Sequence, residues 1–240
     1  MTAAHCVAKI PGGAASLCVV AGYTKAAVDG EKYDGIMGTD DSGTVRDTCE
    51  QLSSCKEGSC PQVLSAKIAI SGVGPTGTVD DWVILELGGT LSDVSPVSGF
   101  QDHEAGTAAH MLSHPMDVPL MRGALEPCGI EDQLVHSVAS ALDGSSGGAV
   151  VDANNVCLGM HIDTASSTYR GCVRCSGRVE ENACTSTCTG GDASCGMKLS
   201  IPGPVLGLAV KKYAERDPKS ARPRYFQLDG DELVEREAYR

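Results

Sequence analysis

Apolar residues in this chain fall in short runs, at 16–22 (SLCVVAG), 66–72 (AKIAISG) and 81–87 (DWVILEL), then at 107–113, 119–125, 133–140, 148–152 and 156–162. Glycine, proline or polar clusters end each run, which predicts short strands joined by turns rather than long helices. Composition matters here only as support. The 240 residues include 29 Gly and 11 Pro, and the 42 % hydrophobic content is enough for a real core. Asp152-Ala153-Asn154-Asn155 reads as a hairpin turn between two of the runs. One helix is predicted, over 204–214 (PVLGLAVKKYA), with proline in its first turn and lysines near its end.

Three stretches stand outside this strand pattern. Residues 24–62 and 165–196 are polar, cysteine-bearing segments that read as surface insertions, and 88–106 reads as a linker. The last segment, 215–240, is highly charged, carries Pro218 and Pro223, and is expected to be a mobile solvated tail. The expected organisation is therefore an N-terminal unit over 1–100, a C-terminal unit over 101–214 and a charged tail over 215–240. A net charge of −12 argues against nucleic acid or an anionic membrane as partner. No apolar run is long enough to span a bilayer, and the chain opens on Met1-Thr2-Ala3-Ala4-His5-Cys6 with no signal peptide ahead of it. Twelve cysteines point to an oxidising compartment, extracellular or secretory, with disulfides whose pairing the sequence does not give.

Chemistry concentrates in Gly144-Ser145-Ser146-Gly147-Gly148-Ala149-Val150-Val151. A nucleophilic serine needs a tight turn that exposes its hydroxyl and leaves backbone N–H groups free to face an oxyanion; flanking glycines supply that freedom. Thr2-Ala3-Ala4-His5-Cys6 ends a run of small residues in a histidine, and Asp81 stands directly before the apolar run Trp82-Val83-Ile84-Leu85-Glu86-Leu87.

These strings, in the chain order His, Asp, Ser, resemble the signature of trypsin-like (chymotrypsin-fold) serine proteases. The resemblance covers most of residues 1–163 and the helix near 204–214. It implies an all-β fold of two packed antiparallel six-stranded barrels followed by a short C-terminal helix. In relatives a strand pair precedes the histidine motif, so the N-terminal barrel is expected to be incomplete here and to hold His5 weakly. The resemblance also implies a serine endopeptidase acting on protein or peptide substrates without a cofactor. Ser146 would be the nucleophile, His5 the general base and Asp81 its orienting partner, with the backbone N–H groups of Gly144 and Ser146 as oxyanion hole.

Departures from the digestive-type pattern shift the resemblance toward HtrA-like and glutamyl-endopeptidase-like enzymes. Ser145 replaces the aspartate that zymogen activation uses, and Ser140 stands where trypsin has its specificity aspartate. Ser113-His114-Pro115 is similar to a segment of that branch. His161 lies fifteen residues after Ser146, where glutamyl endopeptidases place a histidine against an acidic P1 side chain. An imidazole donor suits an acidic or amide P1 residue, and Thr164 adds a hydroxyl. Asp163 could neutralise that pocket, and Ala141 lacks the hydroxyl often found on its other wall. His161 is thus read either as a specificity residue or as a hydrogen-bonded strand residue.

Two alternatives remain open on sequence grounds. An intact triad on an incomplete barrel fits a catalytically impaired homologue that binds without turnover. Cys172, Cys175, Cys184, Cys188 and Cys195 have spacing that suits a zinc or interaction module, though a disulfide-stapled loop explains them equally. Cys6 is either a free thiol or paired with Cys18.

Overall fold

The computed structural model describes residues 1–8, 17–21, 62–91, 95–104, 107–114, 120–131, 133–139, 144–164, 198–218, 220 and 222–237. Both cysteine-bearing insertions lie largely or wholly outside the described residues, as do Ser140 and Ala141. A five-residue helix α1 (Ala4–Ala8) comes first. Strands β1 (Cys18–Ala21), β2 (Gln62–Gly72) and β3 (Val83–Leu87) follow, then β4 (Ala109–Ser113), β5 (Met121–Glu131) and β6 (Leu134–Ala139). The order ends with β7 (Ala149–Val151), β8 (Cys157–Thr164), β9 (Lys198–Pro202), helix α2 (Gly203–Ala214), β10 (Arg224–Asp229) and β11 (Glu232–Arg236).

The fold is all-β as expected, and α2 falls where the Pro-Val-Leu-Gly-Leu pattern puts it. Strands β4 to β9 close into a six-stranded antiparallel barrel in the order β4-β5-β6-β9-β8-β7. The Asp152 turn forms as read. Its Oδ1 accepts the N–H groups of Asn154 and Val156, both at 2.8 Å, and Asn155 takes the left-handed conformation at φ 62°.

The N-terminal half is an open five-stranded sheet, β1-β2-β10-β11 with β3 on β2, so among the described residues it is incomplete as expected. What fills it corrects the sequence reading. The charged tail contains an ordered hairpin, β10–β11, and β10 pairs with β2 in parallel, not antiparallel. Heavy charge hid a period-two pattern. Phe226 and Leu233 point inward and are 1 % and 3 % exposed, and at the rim of the same face Arg224 pairs with Glu235 and lies over the Phe226 ring. Gly230 at φ 60° makes the turn.

One apolar cluster joins the halves. It gathers Ile70, Trp82 and Ile84 from the N-terminal sheet, Met160, Ile162 and Ile201 from the barrel, Leu206 from α2 and Phe226 and Leu233 from the hairpin. The barrel adds a smaller cluster of Ala109, Met111, Leu125, Val150 and Leu158. No helix among the described residues is long and apolar enough to cross a membrane.

Candidate active site

His5 sits on α1, and β3 holds the segment before it. Thr2 and Val83 exchange two backbone hydrogen bonds, 3.0 and 2.9 Å, and Ala3 is fully buried. The weak hold expected from an incomplete barrel is therefore offset locally, because the histidine motif borrows a bridge from the strand that follows Asp81.

Asp81 is 1 % exposed and its carboxylate is surrounded by donors. The backbone N–H of His5 donates to Oδ1 at 2.9 Å, His5 Nδ1 lies 2.6 Å from Oδ2, and the N–H of Gly77 donates to Oδ2 at 3.1 Å. A carboxylate there keeps the proton on Nδ1 and leaves Nε2 as the acceptor. The Gly77 contribution was missed from sequence; the Gly-Pro-Thr-Gly turn before Asp81 was its only trace.

Ser146 lies on the turn leading into β7. Gly144 and Gly147 both have φ 84°, a conformation that L side chains rarely adopt. A Cβ on Gly147 would also meet Thr2 Oγ1 at 2.1 Å, so the Ser146 turn and the histidine segment pack glycine to threonine. Strand β8 clamps the turn: Gly147 N–H donates to the His161 carbonyl (2.7 Å) and His161 N–H to the Gly148 carbonyl (2.9 Å). Ser145 is buried, and Ser113 donates to its hydroxyl at 3.4 Å, which gives the Ser113-His114 segment a structural role.

The Ser146 hydroxyl donates to the Ile162 carbonyl at 3.1 Å. The structure thus joins His5 to Asp81 by hydrogen bonds and ties Ser146 instead to β8. Cys6 Sγ lies 3.8 Å from the Ser146 carbonyl, while Cys157 is a buried free thiol whose pKa burial pushes up.

His161 is 3 % exposed, and its pKa is lowered to about 4. Burial is the main cause, and the Lys198 charge adds to it; Asp163 and a backbone hydrogen bond with Leu199 pull the other way, and His5 lowers it slightly. The imidazole is therefore neutral at neutral pH. Thr164 ends β8, with only its backbone described. No cluster of three or more His, Cys, Asp or Glu side chains suited to a metal occurs among the described residues, and Cys172, Cys175, Cys184, Cys188 and Cys195 lie outside them.

No protein-family model and no curated protein matches the chain. Among solved structures it is similar to the HtrA-type protease AlgW with a decapeptide, at 16 % identity over 65 % of this chain and 42 % of that one, TM-score 0.44. It is similar to the serine endoprotease from Yersinia pestis, at 14 % identity over 65 % and 46 %, TM-score 0.45. A further similar structure is the active form of the Rv3671c protease from M. tuberculosis, at 15 % identity over 72 % and 68 %, TM-score 0.40. The chain spans less than half the length of the first two.

Proposed function

We propose that this chain is a serine endopeptidase in which His5, Asp81 and Ser146 act as a triad. The observation that carries the reading is the buried Asp81 carboxylate, which meets both the backbone N–H and the ring Nδ1 of His5. Such a pair orients the ring and leaves Nε2 as the atom that can accept a proton. On this reading the Ser146 hydroxyl leaves the Ile162 carbonyl and gives its proton to His5 Nε2 as Oγ bonds to the substrate carbonyl carbon. The N–H groups of Gly144 and Ser146 would stabilise the oxyanion. Collapse breaks the C–N bond, and the leaving amine takes the proton from Nε2. Water, deprotonated by the same nitrogen, then hydrolyses the acyl-enzyme. Substrates are proteins or peptides, with an acidic or amide P1 side chain facing His161, Thr164, Ser140 and Ala141.

A second reading rests on the hydroxyl of Ser146 being donated to Ile162: a homologue that binds peptides without turnover. Fluorophosphonate labelling separates the two. The endopeptidase reading expects covalent labelling that disappears in Ser146→Ala; a folded protein with no Ser146-dependent label overturns it. We also propose an extracellular or secretory setting with disulfides among the twelve cysteines. Alkylation mass shifts with and without reductant test this, and twelve reactive thiols in unreduced protein would refute it.

A further inference from the structure

The Asp81 carboxylate is oriented from two directions. Helix α1 supplies the His5 N–H and ring Nδ1, and the turn between β2 and β3 supplies the Gly77 N–H. The 2.6 Å contact with Nδ1 therefore depends on where that turn, residues 73–81, stands against α1. Within the turn the Asp81 N–H donates to the Thr78 carbonyl at 3.0 Å, and at its base the Gly72 N–H donates to the Trp82 carbonyl at 2.8 Å. Such bonds set the shape of the turn. Its place on the sheet is set by what holds it from outside.

The C-terminal hairpin holds it at both ends. The Val73 N–H donates to the Phe226 carbonyl at 3.0 Å, which carries the parallel β2–β10 contact one residue past β2. At the other end Asp80 Oδ1 accepts the Leu228 N–H at 2.7 Å. Asp80 is 6 % exposed and tightly enclosed: a Cβ on Gly74 would lie 2.6 Å from the Asp80 Cβ, and one on Gly72 would strike the Asp80 carbonyl. A side chain so confined passes a displacement of β10 to its own backbone, because no other rotamer has room to absorb it. The residue that follows is Asp81. The hairpin is itself anchored away from the site, with Phe226 and Leu233 in the core beside Ile70, Trp82 and Leu206. Contacts thus run from that core through Leu228 and Asp80 to Asp81 and His5.

We infer that Asp80 is a positioning residue: its hydrogen bond to Leu228 couples the C-terminal hairpin to the Asp81 carboxylate, so that the hairpin sets how well His5 is oriented. The effect on turnover rests on the endopeptidase reading; the coupling is measurable without turnover.

Asp80→Ala and Asp80→Asn in the full chain test it. Asparagine keeps an oxygen for the Leu228 N–H and removes the charge, whereas alanine removes both. Asp80→Ala should lower kcat for peptide hydrolysis by about tenfold with KM within about twofold, and Asp80→Asn should keep kcat within about threefold. Hydrogen exchange at the Gly77 N–H reports the turn independently of activity; it should quicken about tenfold in Asp80→Ala and stay unchanged in Asp80→Asn. If fluorophosphonate fails to label Ser146 in the intact chain, the endopeptidase reading fails and exchange at Gly77 alone decides the coupling. If it labels, and folded Asp80→Ala keeps kcat within about threefold or leaves Gly77 exchange unchanged, only the present inference is overturned. An Asp80→Asn variant as impaired as Asp80→Ala overturns it too, because charge and not the hydrogen bond would then matter. Should Asp80→Ala not fold, Gly230→Val strains the hairpin turn alone, since Gly230 has φ 60° and nothing lies within 4 Å of a Cβ there. Exchange at Leu228 and at Gly77 should then quicken together by about fivefold; an unchanged Gly77 rate would overturn the coupling.

Discussion

The two halves of the molecule solve opposite problems. The barrel of β4 to β9 is closed, leaves no strand edge, and places a polar row inside itself. The N-terminal sheet is open, turns Ile70, Trp82 and Ile84 to an apolar seam, and covers part of its edge with a hairpin from the far end of the chain. The closed half carries Ser146 and the buried polar row of Ser137, His161, Lys198 and Ser200, and the open half carries His5 and Asp81. A closed barrel can bear buried polar groups because its backbone hydrogen bonds are already complete. An open sheet has no such reserve, and both of its buried carboxylates, Asp80 and Asp81, accept backbone N–H groups.

That contrast can be broken from either side. The largest expected effect is on chemistry contributed by the open half. Asp81→Asn should keep the fold but leave His5 in the wrong tautomer, lowering kcat/KM by about 10⁴-fold; peptide hydrolysis reduced less than tenfold would remove Asp81 from the triad. Next comes the hairpin. Phe226 is 1 % exposed in the shared core, and Phe226→Ala should cost about 3–5 kcal/mol. Urea unfolding measures this, and an unchanged midpoint would mean the hairpin is not part of the core.

The polar row has its own signature. His161 accepts a proton only near pH 4 when folded, but near pH 6.5 when unfolded. Between those values the unfolded chain binds more protons, so stability should fall as pH drops through that window, by about 3 kcal/mol in all. His161→Gln should remove this component. Equal slopes of unfolding free energy against pH in both proteins would show that His161 is not held neutral. The smallest effect expected is at the junction of hairpin and active-site loop. Asp80 Oδ1 accepts the Leu228 N–H at 2.7 Å, and burial raises the Asp80 pKa. Asp80→Ala should cost about 1–2 kcal/mol by leaving that N–H unmet. Hydrogen exchange at Leu228 should quicken with it; unaltered exchange would place the support of β10 elsewhere.

Much of the barrel was legible because its strands are short apolar runs bounded by turn residues, and α2 because proline and periodicity agree. The hairpin was not legible. In Tyr225-Phe226-Gln227-Leu228 and Glu232-Leu233-Val234-Glu235 the inward positions are few and the charges many, and only a partner sheet makes the pattern meaningful. Nor was Lys198, whose single charge between Met197 and Leu199 has no meaning until β6 and β8 enclose it.

Residue order alone determined the strand-rich class and the glycine turn around Ser146, because turn chemistry is local, while the resemblance of two short motifs named His5 and Asp81 as partners. Tertiary structure decided how His5 is held, that the tail completes the open sheet in parallel, and which polar side chains share the barrel interior. Each of these depends on pairing between residues far apart in the chain, from Thr2 with Val83 to Arg224 with Ile70, and no local pattern encodes such a register.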